Sequence, residues 1–112
     1  MISSEFIKGS LTTIILKVLE DEGPLHGYGI ARKMEILTQG QLKLPDSALY
    51  PILHRLKKEK YLVTASELTG GHLRIYYSLT PKGHNSGAKK VNELREFADI
   101  LRKIVEPKPE TS

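Results

Sequence analysis

A mainly helical domain carrying one small β-hairpin, followed by a long helix, is the fold class that this sequence predicts. Three observations predict it. Apolar residues recur three and four apart in three early segments, Leu11–Leu19, Ile30–Leu37 and Leu49–Leu56. A stretch over 72–79 alternates with period two after a Thr69-Gly70-Gly71 turn. Beyond Thr80-Pro81 a sustained three-four seam runs toward the C-terminus.

The elements follow in order. Leu11, Ile14, Ile15, Val18 and Leu19 give the first helix, with Ser10 placed to cap it and Gly23-Pro24 to stop it. The second spans about Gly27 to Leu37, with Ile30, Met34 and Leu37 on its inner stripe and Gly40-Gln41 closing it. Pro45-Asp46-Ser47 opens the third, which reaches about Lys60 on a stripe of Leu49, Ile52, Leu53 and Leu56. Pro51 falls inside that pattern, so the helix either starts late or bends in its first turn. Leu62–Leu68 pairs with 72–79, where Leu73, Ile75, Tyr77 and Leu79 share one apolar face. Thr80-Pro81 supplies a hydroxyl cap and a proline at the first helical position. Gly83, Asn85, Ser86 and Gly87 weaken the opening of this last helix. Val91, Leu94, Ala98, Leu101 and Val105 then form a short heptad seam, widened by Phe97, Ile100 and Ile104. Pro107 to Ser112 is a polar tail, expected to be disordered. Three helices, a hairpin and a helix are the order of a winged helix-turn-helix with a C-terminal extension. The chain divides at 1–80, 81–106 and 107–112.

Composition narrows the function. A length of 112 residues suits one domain, and 39% hydrophobic residues are too many for a disordered chain. The absence of cysteine excludes disulfides and thiolate metal sites. No apolar run reaches the roughly 18–20 residues that span a bilayer, and Met1–Glu5 has no basic leader, so a cytoplasmic location without membrane contact is expected. The net charge of +4 is unevenly spread. Residues 43–82 hold seven basic and three acidic side chains, against four and five in 1–42 and six and five in 83–112.

That basic surplus falls on the third helix and the hairpin. With Leu49, Leu53 and Leu56 inward, Ser47, Pro51, His54 and Lys58 point outward, with Arg55 beside them. A helix fits the major groove of double-stranded DNA, where such side chains donate to phosphates and purine edges. An ordinary solvated face is the plainer alternative. His72 and Arg74, next to Gly70-Gly71, suit a wing that touches phosphates or the minor groove; the glycines also simply make a turn. Tyr28, within His26-Gly27-Tyr28-Gly29, either bonds a phosphate, braces the third helix or packs in a tight turn. The last helix offers Val91, Leu94, Phe97, Ala98, Leu101, Ile104 and Val105 for dimerisation, unless it folds back on its own domain. His26, His54, His72 and His84 show no ligand spacing, and no nucleophile elbow, phosphate loop or dinucleotide fingerprint is present. No metal, cofactor or enzymatic activity is expected.

Three motifs carry a resemblance. Lys8-Gly9-Ser10-Leu11, Ile14-Ile15-Leu16 and Gly23-Pro24-Leu25-His26-Gly27-Tyr28 look like the opening of PadR regulators. Ser47-Ala48-Leu49-Tyr50-Pro51-Ile52-Leu53-His54-Arg55-Leu56 is similar to that family's L-Y-P-x-L-x-R-L signature, and Tyr76 to Gly83 resembles its Y-x-L-T-x-x-G ending. The match covers about residues 8–87. The resemblance implies a homodimeric winged-helix transcriptional regulator, a repressor at a pseudo-palindromic site, released by a small aromatic or amphipathic effector. It assigns Tyr28, Tyr50 and Arg55 to motif positions. The chain departs from the family at Ser47-Ala48, where Gly-Thr is usual, and at Lys58-Glu59-Lys60, where a glycine is common. Some members sandwich ligands between tryptophans, and this chain has none. The rival reading is a winged-helix module whose third helix faces another protein.

Overall fold

Each of the first three helices has one apolar stripe to bury, and in the computed structural model, which describes residues 8–108, the three stripes meet in one core. Helix α1 (Leu11–Glu22) contributes Leu11, Ile15, Leu16, Val18 and Leu19. Helix α2 (Gly27–Leu37) adds Ile30 and Met34, and α3 (Asp46–Lys58) adds Leu49, Leu53 and Leu56. The second part is a three-stranded antiparallel sheet in the order β1-β3-β2, made of β1 (Leu25–His26), β2 (Leu62–Thr69) and β3 (His72–Leu79). Helix α4 (Pro81–Val105) completes the chain. The expected winged helix-turn-helix with a long terminal helix is the fold found. Among the described residues no helix is long and apolar enough to cross a membrane.

Several local expectations are corrected. Ser10 makes no side-chain cap, because a 3-10 turn over Lys8–Ser10 leads into α1 and holds Ser10 in a helical conformation. Leu37 is 62% exposed rather than on the inner stripe; α2 ends there, and the buried Leu44 of the returning loop closes the core. Helix α3 begins at Asp46 and runs through Pro51 without a late start. It stops at Lys58 rather than Lys60, since Lys60 turns left-handed at φ 66°. Tyr61 N–H then reaches the Leu56 carbonyl at 2.9 Å and Lys60 N–H that of Lys57 at 3.0 Å. This is a Schellman closure with lysine where glycine is favoured. Helix α2 closes the same way, with Gln39 at φ 52° and Gly40 N–H 2.8 Å from the Glu35 carbonyl. The apolar face of the hairpin is buried only at its base, and Leu73 and Ile75 stand in the open because the hairpin projects past the core. The tail proposed for 107–112 lies outside the described residues from 109 onward.

The terminal helix is anchored at its start. Thr80 Oγ1 accepts from Gly83 N–H at 3.0 Å and donates to the Lys60 carbonyl at 2.6 Å. Gly83 and Gly87, expected to weaken the helix, are the buried residues of α4. A Cβ on Gly83 would strike the Tyr61 carbonyl oxygen, whereas one on Gly87 would rest 3.4 Å from Leu16 Cβ. Glycine here allows close approach to neighbouring backbone. Gly83→Ala should therefore lower stability by about 2 kcal/mol or more in thermal melts, clearly more than Gly87→Ala. Lys60→Gly should raise it by about 1 kcal/mol, as the left-handed residue sheds its Cβ penalty.

Candidate nucleic-acid interface

Burial of one leucine stripe decides what α3 shows to solvent. Leu49 and Leu53 are fully enclosed and Leu56 nearly so. Ser47, Pro51, His54 and Lys58, within an arc of about 60° on the opposite side, are all exposed. Pro51 has no N–H to offer the Ser47 carbonyl one turn back.

The two flanks of α3 differ. Arg55 turns toward α1, where its Nη2 donates to Thr12 Oγ1 at 2.7 Å. Tyr50 turns toward the sheet and lies over Gly27, whose missing side chain makes room for the phenol ring. Tyr28, Tyr50 and Arg74 then line one groove between α3 and the hairpin, with His26 and Tyr77 beside them and Leu73 and Ile75 on its wing side. The structure thus gathers three of the expected residues in one place. Gly70, Gly71 and His72 lie at the far tip of the hairpin, where φ of 57° and 81° at the two glycines closes a two-residue turn. Tyr28 is exposed and stacks on His26, so it is not the packed tyrosine of a tight turn.

His26 caps α2 and joins it to the sheet, a role that sequence reasoning missed. Its Nδ1 accepts from Gly29 N–H at 3.0 Å, capping α2, while Leu25 and His26 pair with Tyr77 and Tyr76 of β3. Arg74 Nη1 approaches His26 Nε2 at 3.1 Å. A neutral ring that accepts at Nδ1 carries its proton on Nε2, so this approach sets donor against donor. Arg74 is exposed here and lines the groove. A histidine before Gly-x-Gly was the available signal, but a two-residue strand shows no period.

Charge follows the same division. The ion pairs among the described residues lie on α1, α2, α4 and Lys43. Arg55, Lys57, Lys58, Lys60 and Arg74 take no part in them. A cationic helix face without carboxylate partners is suited to phosphates. Among the described residues no group of three or more histidines and carboxylates is placed to hold a metal. On α4, Val91 and Leu94 are half-buried, and Phe97, Ala98, Leu101, Ile104 and Val105 are exposed.

Comparison with known proteins gives the family. A family model described as the transcriptional regulator PadR-like family matches residues 15–89. A transcriptional regulator from Clostridium thermocellum superposes with a TM-score of 0.82 and 30% identity, over 92% of this chain and 100% of that one. A PadR-like transcription factor from Bacteroides fragilis does so with a TM-score of 0.70 and 30% identity, over 91% and 96%. A transcriptional regulator of Escherichia coli is 32% identical over 89% of this chain, which spans 44% of that protein's length.

Under the groove, burial of the Tyr77 phenol raises its pKa above the ordinary 10.0, and nearby Tyr50 adds to the shift. The folded state therefore holds this proton more tightly than the unfolded chain. The associated stability is complete below about pH 10 and is lost as pH rises through the folded pKa. Denaturant melts between about pH 9 and 11 should show wild type losing stability relative to Tyr77→Phe.

Proposed function

Because the chain belongs to the PadR-like family of transcriptional regulators, we propose that it binds a pseudo-palindromic site on double-stranded DNA as a homodimer and represses transcription from it. It is a regulator and not an enzyme. The carrying observation is the exposed Ser47-Pro51-His54-Lys58 face, set opposite a buried leucine stripe and without carboxylate partners among the described residues. In this reading His54 and Lys58 meet base edges in the major groove, Tyr28, Tyr50 and Arg74 meet the backbone, and Gly70 to His72 reach the adjacent groove.

Dimerisation rests on α4. At 25 residues it is about 37 Å long, yet only its first turns are covered. Phe97, Leu101, Ile104 and Val105 remain between 40% and 73% exposed, a seam that a second copy covers by heptad packing. Two paired copies present two α3 helices to half-sites about one helical turn apart. Release by a small aromatic or amphipathic effector follows from the family resemblance, and a cytoplasmic location follows from acting on the chromosome.

Selection of bound duplexes from a random pool tests the reading and returns the site. His54→Ala and Lys58→Ala should each weaken binding to the selected duplex roughly 5- to 150-fold, with far-ultraviolet spectra unchanged. An unenriched pool would instead favour the protein-binding module. Leu101→Glu combined with Ile104→Glu should convert a dimer into a monomer in sedimentation equilibrium and abolish tight DNA binding. A monomeric wild type would end the dimer assignment.

A further inference from the structure

Arg55 has five N–H donors and places one of them on a protein acceptor, the Thr12 hydroxyl at 2.7 Å. Beside it is a cleft of about 410 Å³ where three helices converge. Thr12 and Thr13 enter it from α1, Arg55 and Glu59 from the end of α3, and Ser86 and Lys90 from the start of α4. Neither Arg55 nor Lys90 has a carboxylate partner among the ion pairs of the described residues. Two cations and three hydroxyls around one cleft, against the single carboxylate of Glu59, form a donor set for an oxyanion.

We propose that this cleft binds a phosphate group. Arg55 and Lys90 supply the charge, and the hydroxyls of Thr12, Thr13 and Ser86 donate hydrogen bonds. A water takes up roughly 30 Å³, so the cleft admits a phosphate with water still around it. Arg55 follows His54 directly and stands a quarter-turn or less from the exposed face of α3. A duplex lying on that face can thus bring a backbone phosphate to the cleft; a free phosphate compound presents the same chemistry. Lys90 belongs to the helix assigned to dimerisation, so a phosphate held here ties α3 to the start of α4. The duplex source rests on the DNA-binding reading above, while the oxyanion site itself does not.

Two measurements on the full chain test it. In the first, inorganic phosphate is titrated against chloride at constant ionic strength while amide resonances are followed. Saturable shifts at Thr12, Thr13 and Ser86 are expected, abolished in Lys90→Gln and reached at several-fold lower phosphate in Glu59→Gln. In the second, the salt dependence of duplex binding is compared between variants. Lys90→Gln and Arg55→Gln should each reduce the slope by about 0.9 per phosphate no longer neutralised. Lys90 is exposed on α4, so its variant tests the site even if Arg55→Gln disturbs the bond to Thr12. Both effects together identify the duplex backbone as the ligand. Phosphate shifts with an unchanged slope identify a free phosphate compound. A wild type that shifts with phosphate but binds no duplex would keep the site and defeat the DNA-binding reading. A wild type that binds duplex, with no phosphate shifts and no change of slope in Lys90→Gln, would overturn the site and leave that reading standing.

Discussion

Everything this molecule can present to a partner depends on the burial of Leu49, Leu53 and Leu56 against α1 and α2. Each such side chain contributes about 1.5–3 kcal/mol when removed from water. Turning α3 about its own axis would expose all three at once, along with their packing partners Ile15, Leu16, Ile30 and Met34. The rotation of the helix is thereby set by apolar contact. Ser47, Pro51, His54 and Lys58 need no polar interaction to hold them outward, and among the described residues their side chains make no hydrogen bond or ion pair. The same rotation sends Arg55 to Thr12 on one side and Tyr50 over Gly27 on the other. One stripe thus sorts the side chains of a single helix into a face and two flanks.

A second constraint ties the terminal helix to this unit. Gly83 lies against the backbone at Tyr61, just past the end of α3, and Gly87 lies against Leu16 of α1. Thr80 bridges the same junction by accepting from Gly83 and donating to Lys60. His84 meets Glu20 at 2.7 Å across α1 and α4, though a pair this exposed adds little stability. The base of α4 is therefore held to both α1 and the end of α3, while its distal seam is free. The anchored start and the distal seam belong to one continuous helix, Pro81–Val105.

Much of this was legible in the sequence, for physical reasons that also explain the rest. Long amphipathic segments announce themselves by period, so α1, α2, α3, the hairpin and α4 were all visible. Thr80-Pro81 marked a helix start because cap chemistry is local. Strand β1 was not visible, since two residues cannot show alternation and its existence depends on β3 being alongside. Leu37, Leu73 and Ile75 misled because periodicity reports which face a residue shares, not whether the core extends that far. Gly83 and Gly87 read as helix weakness, whereas their role depends on a distant backbone. The outward face of α3 was read correctly from its buried stripe, but Arg55 reaches Thr12, 43 residues away, and His26 lies beside Arg74, 48 residues away. Interactions at such separation leave no local pattern.

Recognition as proposed requires α3 to enter a major groove with that one face. Dimethyl sulfate interference on the selected duplex reads this directly, because guanine N7 lies in the major groove. Methylation should block binding at two clusters about one helical turn apart, each centred in a half-site. Binding that ignores guanine methylation throughout the site, while remaining sequence-specific, would contradict it.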